Sequence, residues 1–286
     1  PIQYIIDSVS YIFVGFNLAG TPTFTSNLLF RAKNLPLAFC KMKPQVSIVI
    51  PAYNESERIV APLRTILDFV EASETAYEVI VVDDGSSDDT AEVARRIFAE
   101  RPSVETNVIR YEENRGKGFA VNTGLKAVKA DIAVFTDADL STPITEIDKL
   151  VGPISAGEYD VTFGSRALDR SLIGTHQSWL RENGGRVINF MIRTMSGLNF
   201  ADTQCGFKAF NMVKFRPLLN VMTIDRFGFD IEFLYVANYH SLRLAEIPVR
   251  WNDVAGSKVS PVRDTRRMMG ELAQIRRNAK RGVYNL

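Results

Sequence analysis

The feature that most constrains this chain is a fourfold alternation of short apolar runs and helical segments between residues 46 and 136. The first run, Val46 to Ile50, is β-branched and stops at Pro51, and the fourth, Ile132 to Thr136, stops at Asp137. Segments with helical spacing follow the first three runs after short connections. This order predicts an α/β fold with a mostly parallel central sheet and helices on both faces.

Polar motifs follow three of the predicted strands, and ligands of such sheets bind where the strands end. These motifs are Pro51-Ala52-Tyr53-Asn54-Glu55, Asp83-Asp84-Gly85-Ser86 and Asp137-Ala138-Asp139. The glycine-rich fingerprints of nicotinamide- or flavin-binding Rossmann proteins and of P-loop proteins are absent. We therefore expect a different kind of ligand at this edge.

Asp137 and Asp139 are the strongest candidates for a metal site. Two carboxylates so close together at a strand end are costly to bury without a partner. Mg²⁺ or Mn²⁺ suits such oxygens and would in turn bind a diphosphate. A solvated loop with capping aspartates is the alternative, and the two other polar strand ends favour the metal.

The remaining candidates each have a plain structural alternative. Asp83 and Asp84 suit a nucleobase or ribose but are also common turn residues. Lys117 lies between two glycines where the third helix opens, which suits an anion or simply a flexible turn. Arg166 and Arg181 suit phosphate, although single arginines more often lie on solvated surfaces.

The composition excludes several other classes of protein. The chain has 286 residues, a net charge of +1, 46% hydrophobic and 23% charged residues, values typical of a soluble globular protein. Two cysteines and two histidines argue against a Cys/His zinc site and a disulfide scaffold, and favour reduced thiols. The balanced charge gives no indication of a nucleic-acid partner.

The charge is concentrated near the end of the sequence. Residues 258–286 hold eight basic and two acidic residues, in a helical pattern with Met268, Leu272 and Ile275 on one face. Such a helix suits an anionic bilayer surface, or packs on the domain with a solvated basic face. Residues 1–44 form an N-terminal extension, which either contacts a membrane or is a buried arm.

The motifs together resemble family 2 glycosyltransferases of the GT-A fold. The resemblance includes the three strand-end motifs, Asn114-Arg115-Gly116-Lys117-Gly118 and Gly164-Ser165-Arg166. It continues through residues 202–210 and 227–232 and ends in residues 257–264, and the last two of these segments are similar to the dolichyl-phosphate β-glucosyltransferase subgroup. It implies a single Rossmann-like GT-A domain over residues 45–257, followed by the basic amphipathic segment 258–286.

The resemblance also implies roles for individual residues. The donor nucleotide sugar would contact ten of them: Pro51, Ala52, Tyr53, Glu55, Asp83, Asp84, Lys117, Asp137, Ala138 and Asp139. Asp137 and Asp139 would be catalytic through Mg²⁺ or Mn²⁺. Arg166 and Arg181 would bind the phosphate of the acceptor.

The implied reaction is the inverting transfer of a sugar to dolichyl or polyprenyl phosphate, with UDP-glucose as the expected donor. GDP-mannose-dependent transfer is the alternative, and a haloacid-dehalogenase-type phosphatase or a non-catalytic nucleotide-sugar-binding module are more distant ones. The acidic pair Asp83-Asp84 lies upstream of Asp137, an order that argues against the phosphatase. A lipid acceptor and a basic tail predict a peripheral or weakly anchored protein at the cytoplasmic face of a membrane.

Overall fold

The computed structural model describes residues 43–175, 189, 191–254 and 261–286, without the side chains of residues 261–266. Arg181 and nearly all of the predicted extension 1–44 lie outside the described residues. So does the segment 255–260, which precedes the last helix.

A seven-stranded mixed sheet forms the centre of the described chain, and a two-stranded ribbon lies apart from it. The strands are β1 (Val46–Ala52), β2 (Tyr77–Asp83), β3 (Glu105–Arg110), β4 (Ile132–Thr136), β5 (Val161–Ser165), β6 (Ile173–Thr175), β7 (Phe207–Asn211), β8 (Leu244–Pro248) and β9 (Trp251–Asn252). The sheet order is β3-β2-β1-β4-β7-β5-β8, and β6 pairs with β9. Only β7 runs antiparallel to its neighbours in the sheet, so the predicted mostly parallel sheet is confirmed.

Helices cover both faces of this sheet, as predicted. They are α1 (Val60–Ala72), α2 (Thr90–Ala99), α3 (Lys117–Ala127), α4 (Ile147–Ser155), α5 (Met212–Phe215), α6 (Phe229–Tyr239) and α7 (Pro261–Lys280). Ile48 and Ile50 of β1 pack into one hydrophobic core with α1, α2 and α4, while Val49 packs into a second with α3, α6 and α7. The alternation of side chains along a strand produces this division.

The apolar face of α7 is part of the second core. Met268, Leu272 and Ile275 are buried there, so the packed-helix alternative describes this segment. Elsewhere α7 exposes Arg267, which pairs with Glu271, and near its end Arg276, Arg277 and Lys280; the exposed Arg281 follows directly. Among the described residues, no helix is both long and apolar enough to cross a bilayer.

Strand β7 is one of the elements that the sequence pattern does not predict. It lies between β4 and β5, with Phe207 opposite Thr136 and Phe210 opposite Val161. Because β7 is antiparallel to β4, it begins at the edge where β4 ends. Residues 202–206 are thereby brought to the predicted site.

Candidate functional site

The register of the strands assembles one polar edge. Ala52 at the end of β1 is paired with Asp83 at the end of β2, and Thr136 at the end of β4 is paired with Phe207. The three strand-end motifs and the start of β7 therefore lie at the same edge of the sheet. This is the arrangement expected from parallel strands.

An ion pair between α3 and the end of β4 lies at this edge. Lys117 Nζ is 2.5 Å from Asp137 Oδ1, and the two side chains are 28% and 32% exposed. Although burial opposes its charge, the carboxylates of Asp137 and Asp230 raise the pKa of Lys117. Lys117 is therefore a cation at neutral pH.

Two glycines fix the backbone on either side of Lys117. A Cβ atom at Gly116 would lie 2.5 Å from the Asp225 carbonyl oxygen, and one at Gly118 would lie 2.6 Å from that of Ile224. Gly116 also has a φ of 118°, which residues with a side chain rarely adopt. Segment 224–226 therefore packs directly on the start of α3 and leaves no room for a side chain at either glycine.

Asp137 is confined on its other side by Gly206. A Cβ atom at position 206 would lie 2.2 Å from Asp137 Oδ2 and 2.5 Å from its Cγ. Glycine is therefore required if the carboxylate is to stay where it is. The start of β7 thus helps to set the position of Asp137.

A second ion pair, which is buried, lies near Lys117. Lys208 of β7 is fully buried, and its ammonium group donates to Asp230 of α6 and, at 2.6 Å, to the Cys205 carbonyl oxygen. Lys208 Nζ also lies 5.3 Å from the centre of the Phe135 ring. Burial raises the pKa of Asp230, and the cation of Lys208 opposes that effect.

Asp83 and Asp84 differ in what they contact. The Asp84 carboxylate accepts hydrogen bonds from the Tyr111 hydroxyl at 2.7 Å, Asn114 Nδ2 at 2.8 Å and the backbone N–H groups of Arg115 and Gly116. It thereby holds the loop that leads to Lys117. Asp83 is also buried, but its Oδ2 accepts no hydrogen bond among the described residues.

The Asp83 Oδ2 atom lies near a charged side chain. Arg110 Nε lies 3.4 Å from Asp83 Oδ2, while Asp83 Oδ1 accepts the Ser86 N–H at 3.0 Å. Of the acidic pair, Asp83 thus retains unused hydrogen-bonding capacity and Asp84 does not. Contact of either with a base or ribose stays a prediction.

The motif after β1 lies beside this pair. Pro51 and Ala52 are buried strand residues, and Tyr53 is 41% exposed at the edge. The Glu55 N–H donates to Thr90 Oγ1 at 2.8 Å, and its carboxylate lies 3.5 Å from Arg58. The structure therefore places the predicted donor residues from β1 together with those from β2 and β4.

Arg166 is held by an acid at the same edge. Its Nε and Nη2 donate to the two oxygens of Asp202 at 2.6 and 2.9 Å, and the Asp202 N–H donates to Glu246 Oε1 at 2.7 Å. Although burial opposes ionisation, Arg166 keeps the pKa of Asp202 below its ordinary value. The third guanidinium nitrogen, Nη1, forms no hydrogen bond to any described residue.

Asp137 and Asp139 fit a divalent ion that binds together with a substrate. The described residues contain no cluster of three or more side chains able to ligate a metal. Mg²⁺ commonly binds through one or two carboxylates, with substrate phosphates and water as the other ligands. The Asp139 carboxylate has one described donor, the Ser141 N–H at 3.0 Å, which leaves oxygen lone pairs for such an ion.

Three residues of this edge escaped the sequence reasoning as site residues: Gly206, Lys208 and Asp230. One signal was available, because Lys208 interrupts the apolar run Phe207 to Phe210. A lysine at a core position needs an acidic partner. Asp230, in the first turn of α6, supplies it.

Comparison with known proteins agrees with this geometry. The profile described as "Glycosyl transferase family 2" matches residues 47–219. The chain is 30% identical over 274 residues to the dolichyl-phosphate beta-glucosyltransferase of Homo sapiens, covering 92% of this chain and 84% of the relative. It is 35% identical over 228 residues to that of Drosophila melanogaster, covering 76% and 70%.

A solved structure shows the same fold. Glucosyl-3-phosphoglycerate synthase from Mycobacterium tuberculosis, crystallised with Mn²⁺, UDP-glucose and phosphoglyceric acid, matches with a TM-score of 0.60 and 21% identity. The match covers 81% of this chain and 79% of that chain. The GT-A architecture that the motifs implied is thereby confirmed.

Proposed function

Because this chain belongs to glycosyl transferase family 2, we propose that it transfers glucose from UDP-glucose to dolichyl or another polyprenyl phosphate. The observation that carries the proposal is its similarity, over most of its length, to relatives named dolichyl-phosphate beta-glucosyltransferase. Family membership also removes the phosphatase alternative. GDP-mannose as donor remains the competing specificity.

The charge pairing of the site supports an acceptor that is already ionised. Within the described part of this edge, three carboxylates are each paired with a basic side chain, and the proposal assigns a fourth, that of Asp139, to the divalent ion, so none of the four is assigned as a general base. The pairs are Asp137 with Lys117, Asp230 with Lys208 and Asp202 with Arg166. A sugar hydroxyl acceptor needs such a base, whereas a phosphate monoester is an anion near neutral pH.

The residues divide between the two substrates in this proposal. Tyr53, Glu55 and Asp83 would bind the nucleoside of the donor, and Asp137 and Asp139 would hold Mg²⁺ or Mn²⁺ beside its diphosphate. That ion, when bound, neutralises charge that develops on the leaving nucleoside diphosphate. The chain's own task is to hold the acceptor phosphate opposite that leaving group, which gives inversion at the anomeric carbon.

Arg166 is the described candidate for the acceptor phosphate. Asp202 fixes the plane of its guanidinium group and leaves Nη1 available. Arg181, the second predicted ligand, lies outside the described residues. Polyprenyl phosphate binding by either arginine remains part of the proposal.

A donor panel tests the proposed reaction. Purified protein with polyprenyl phosphate and Mg²⁺ or Mn²⁺ would receive UDP-glucose, UDP-galactose, UDP-N-acetylglucosamine or GDP-mannose, and the lipid product would be measured. We expect transfer from UDP-glucose, lost in EDTA and in Asp139→Asn. Preferred transfer from GDP-mannose would establish the alternative, and no transfer from any donor would refute the proposal.

We also propose that the exposed basic face of α7 contacts anionic lipid at the cytoplasmic side of a membrane. Each such residue contributes on the order of 1 kcal/mol near an anionic surface. Binding to phosphatidylserine vesicles should therefore be strong at low salt and largely lost at 1 M salt, where the Debye length is about 3 Å.

Two variants that lose the same number of positive charges distinguish binding through this face from binding through net charge alone. The test variant changes four residues of the basic face to Gln: Arg276, Arg277, Lys280 and Arg281. The control changes four basic residues elsewhere: Arg95, Arg96, Lys126 and Lys129. Vesicle binding should fall only in the first, and equal losses in both would contradict the assignment of this face.

A further inference from the structure

We infer that Lys117 is an internal counter-cation that competes with the divalent ion for Asp137 and releases this carboxylate when a nucleoside diphosphate binds. The inference rests on the proposed function, since it assumes a diphosphate donor at this edge. It assigns Lys117 a role beyond donor binding, because the same side chain would make metal binding depend on the nucleotide.

The contact geometry provides the basis for competition. Lys117 Nζ lies 2.5 Å from Asp137 Oδ1, one of the two carboxylate oxygens that could bind an ion. The backbone of Gly206 closes the carboxylate on another side, since even one added carbon there would lie 2.2 Å from Asp137 Oδ2. A metal ion and the ammonium group therefore contend for the same lone pairs.

The other two acids that attract Lys117 have partners of their own in this proposal, since Asp139 would bind the divalent ion. Asp230 attracts Lys117 electrostatically, yet the buried ammonium of Lys208 already occupies its carboxylate. The carboxylates of Asp137, Asp139 and Asp230 all attract Lys117, while the cations of Lys208 and Arg166 act on Asp230 and Asp137 respectively. A divalent ion arriving alone would thus meet Lys117 as a like charge at close range.

A diphosphate changes this balance because it gives the ammonium a new partner. Lys117 is the first residue of α3, where anions bind favourably, and Gly116 and Gly118 hold its backbone against segment 224–226. Only the flexible side chain has to move from a carboxylate oxygen to a phosphate oxygen. Metal and nucleotide would then bind with positive coupling, and by linkage each raises the affinity for the other.

Mn²⁺ binding without any acceptor or turnover tests this role. Free Mn²⁺ would be followed by electron paramagnetic resonance during titration of the full chain, alone and with saturating UDP. In Lys117→Met, the affinity for Mn²⁺ alone should rise about tenfold, which corresponds to about 1.4 kcal/mol. The gain in Mn²⁺ affinity caused by UDP should shrink by at least the same factor.

Two further variants guard against other causes. Lys126→Met removes an exposed cation from the same helix and should leave the affinity for Mn²⁺ unchanged. Lys117→Arg keeps the positive charge and should resemble the wild type. An affinity for Mn²⁺ alone that is unchanged or weaker in Lys117→Met, or raised equally in either of the other two variants, would overturn the inference.

These outcomes are separable from those of the donor panel. The titration needs only UDP and Mn²⁺, so it does not depend on which sugar or acceptor is used. Absence of glucose transfer by the wild type, together with tighter Mn²⁺ binding in Lys117→Met, would refute the proposed reaction and support the counter-cation. Glucose transfer by the wild type, together with unchanged Mn²⁺ binding in Lys117→Met, would support the proposed reaction and refute the counter-cation.

Discussion

Gly206→Ala should separate activity from stability at this site. The new Cβ would lie 2.2 Å from Asp137 Oδ2, whereas a carbon–oxygen contact needs about 3.3 Å, so the carboxylate must move by about 1 Å. The obstructing atoms belong to the end of a partly exposed side chain, which can rotate away at a cost of about 0.5–1.5 kcal/mol. The fold should therefore survive.

The cost to catalysis should be larger. A displacement of about 1 Å in a positioning group can reduce the rate on the order of 100-fold, or about 2.7 kcal/mol in the barrier. Glucose transfer to polyprenyl phosphate and thermal unfolding would both be measured. Gly152→Ala is the matched control, because its Cβ meets nothing within 4 Å and lies within α4.

The control should keep full activity and be stabilised by up to about 1 kcal/mol, since alanine favours helix. We expect Gly206→Ala to lose about 100-fold in rate. If it kept more than about half of the wild-type rate, the placement of Asp137 against β7 would not matter for transfer. If Gly206→Ala unfolded the protein, the contact between position 206 and Asp137 would be needed for folding itself.

Four further changes examine other contacts. Leu272→Ala should lower the free energy of unfolding in urea by about 2–5 kcal/mol, and Arg276→Gln by less than about 0.5 kcal/mol, because only the first is buried. Hydrogen bonds from the Arg243 side chain hold the pKa of Asp160 below its ordinary value, so this carboxylate stabilises the fold above about pH 4 and the effect is lost as pH falls further. Asp160→Asn should therefore be less stable by about 1.5–3 kcal/mol at pH 7, and the difference should shrink in acid titrations. Asp202→Ala should raise the KM for polyprenyl phosphate about tenfold with little change for UDP-glucose in steady-state kinetics, because Arg166 loses its orientation.

The first half of the fold was predictable because three of its strands, β1, β2 and β4, are buried on both faces. Continuous apolar runs between turn residues give a strong local signal, and the observed β4, Ile132–Thr136, has the predicted bounds. Strand β7 gave no such signal. Its pairing with β4 joins Thr136 to Phe207, and nothing in a short window of sequence specifies an antiparallel contact over that separation.

The site was predictable at the level of motifs but not of individual contacts. The acidic pair at the end of β2 indicates carboxylates at the edge, yet the pattern does not tell which of the two binds the loop that leads to Lys117, and Asp84 is the one that does. Arg166 suits a phosphate by residue type, while its pairing with Asp202 joins residues that are 36 positions apart in the sequence. Such partners come from distant segments, so local sequence does not specify them.

The insertion of β7 between β4 and β5 limits how this domain can be recombined with its relatives. A chimera joined after β4 would take Gly206 and Lys208 from one parent and Asp137 from the other, although Gly206 contacts Asp137 directly. Donor and acceptor specificities therefore do not form modules that can be exchanged at a single crossover. Functional hybrids would have to inherit β4 and β7 together, even though about 70 residues separate them in the sequence.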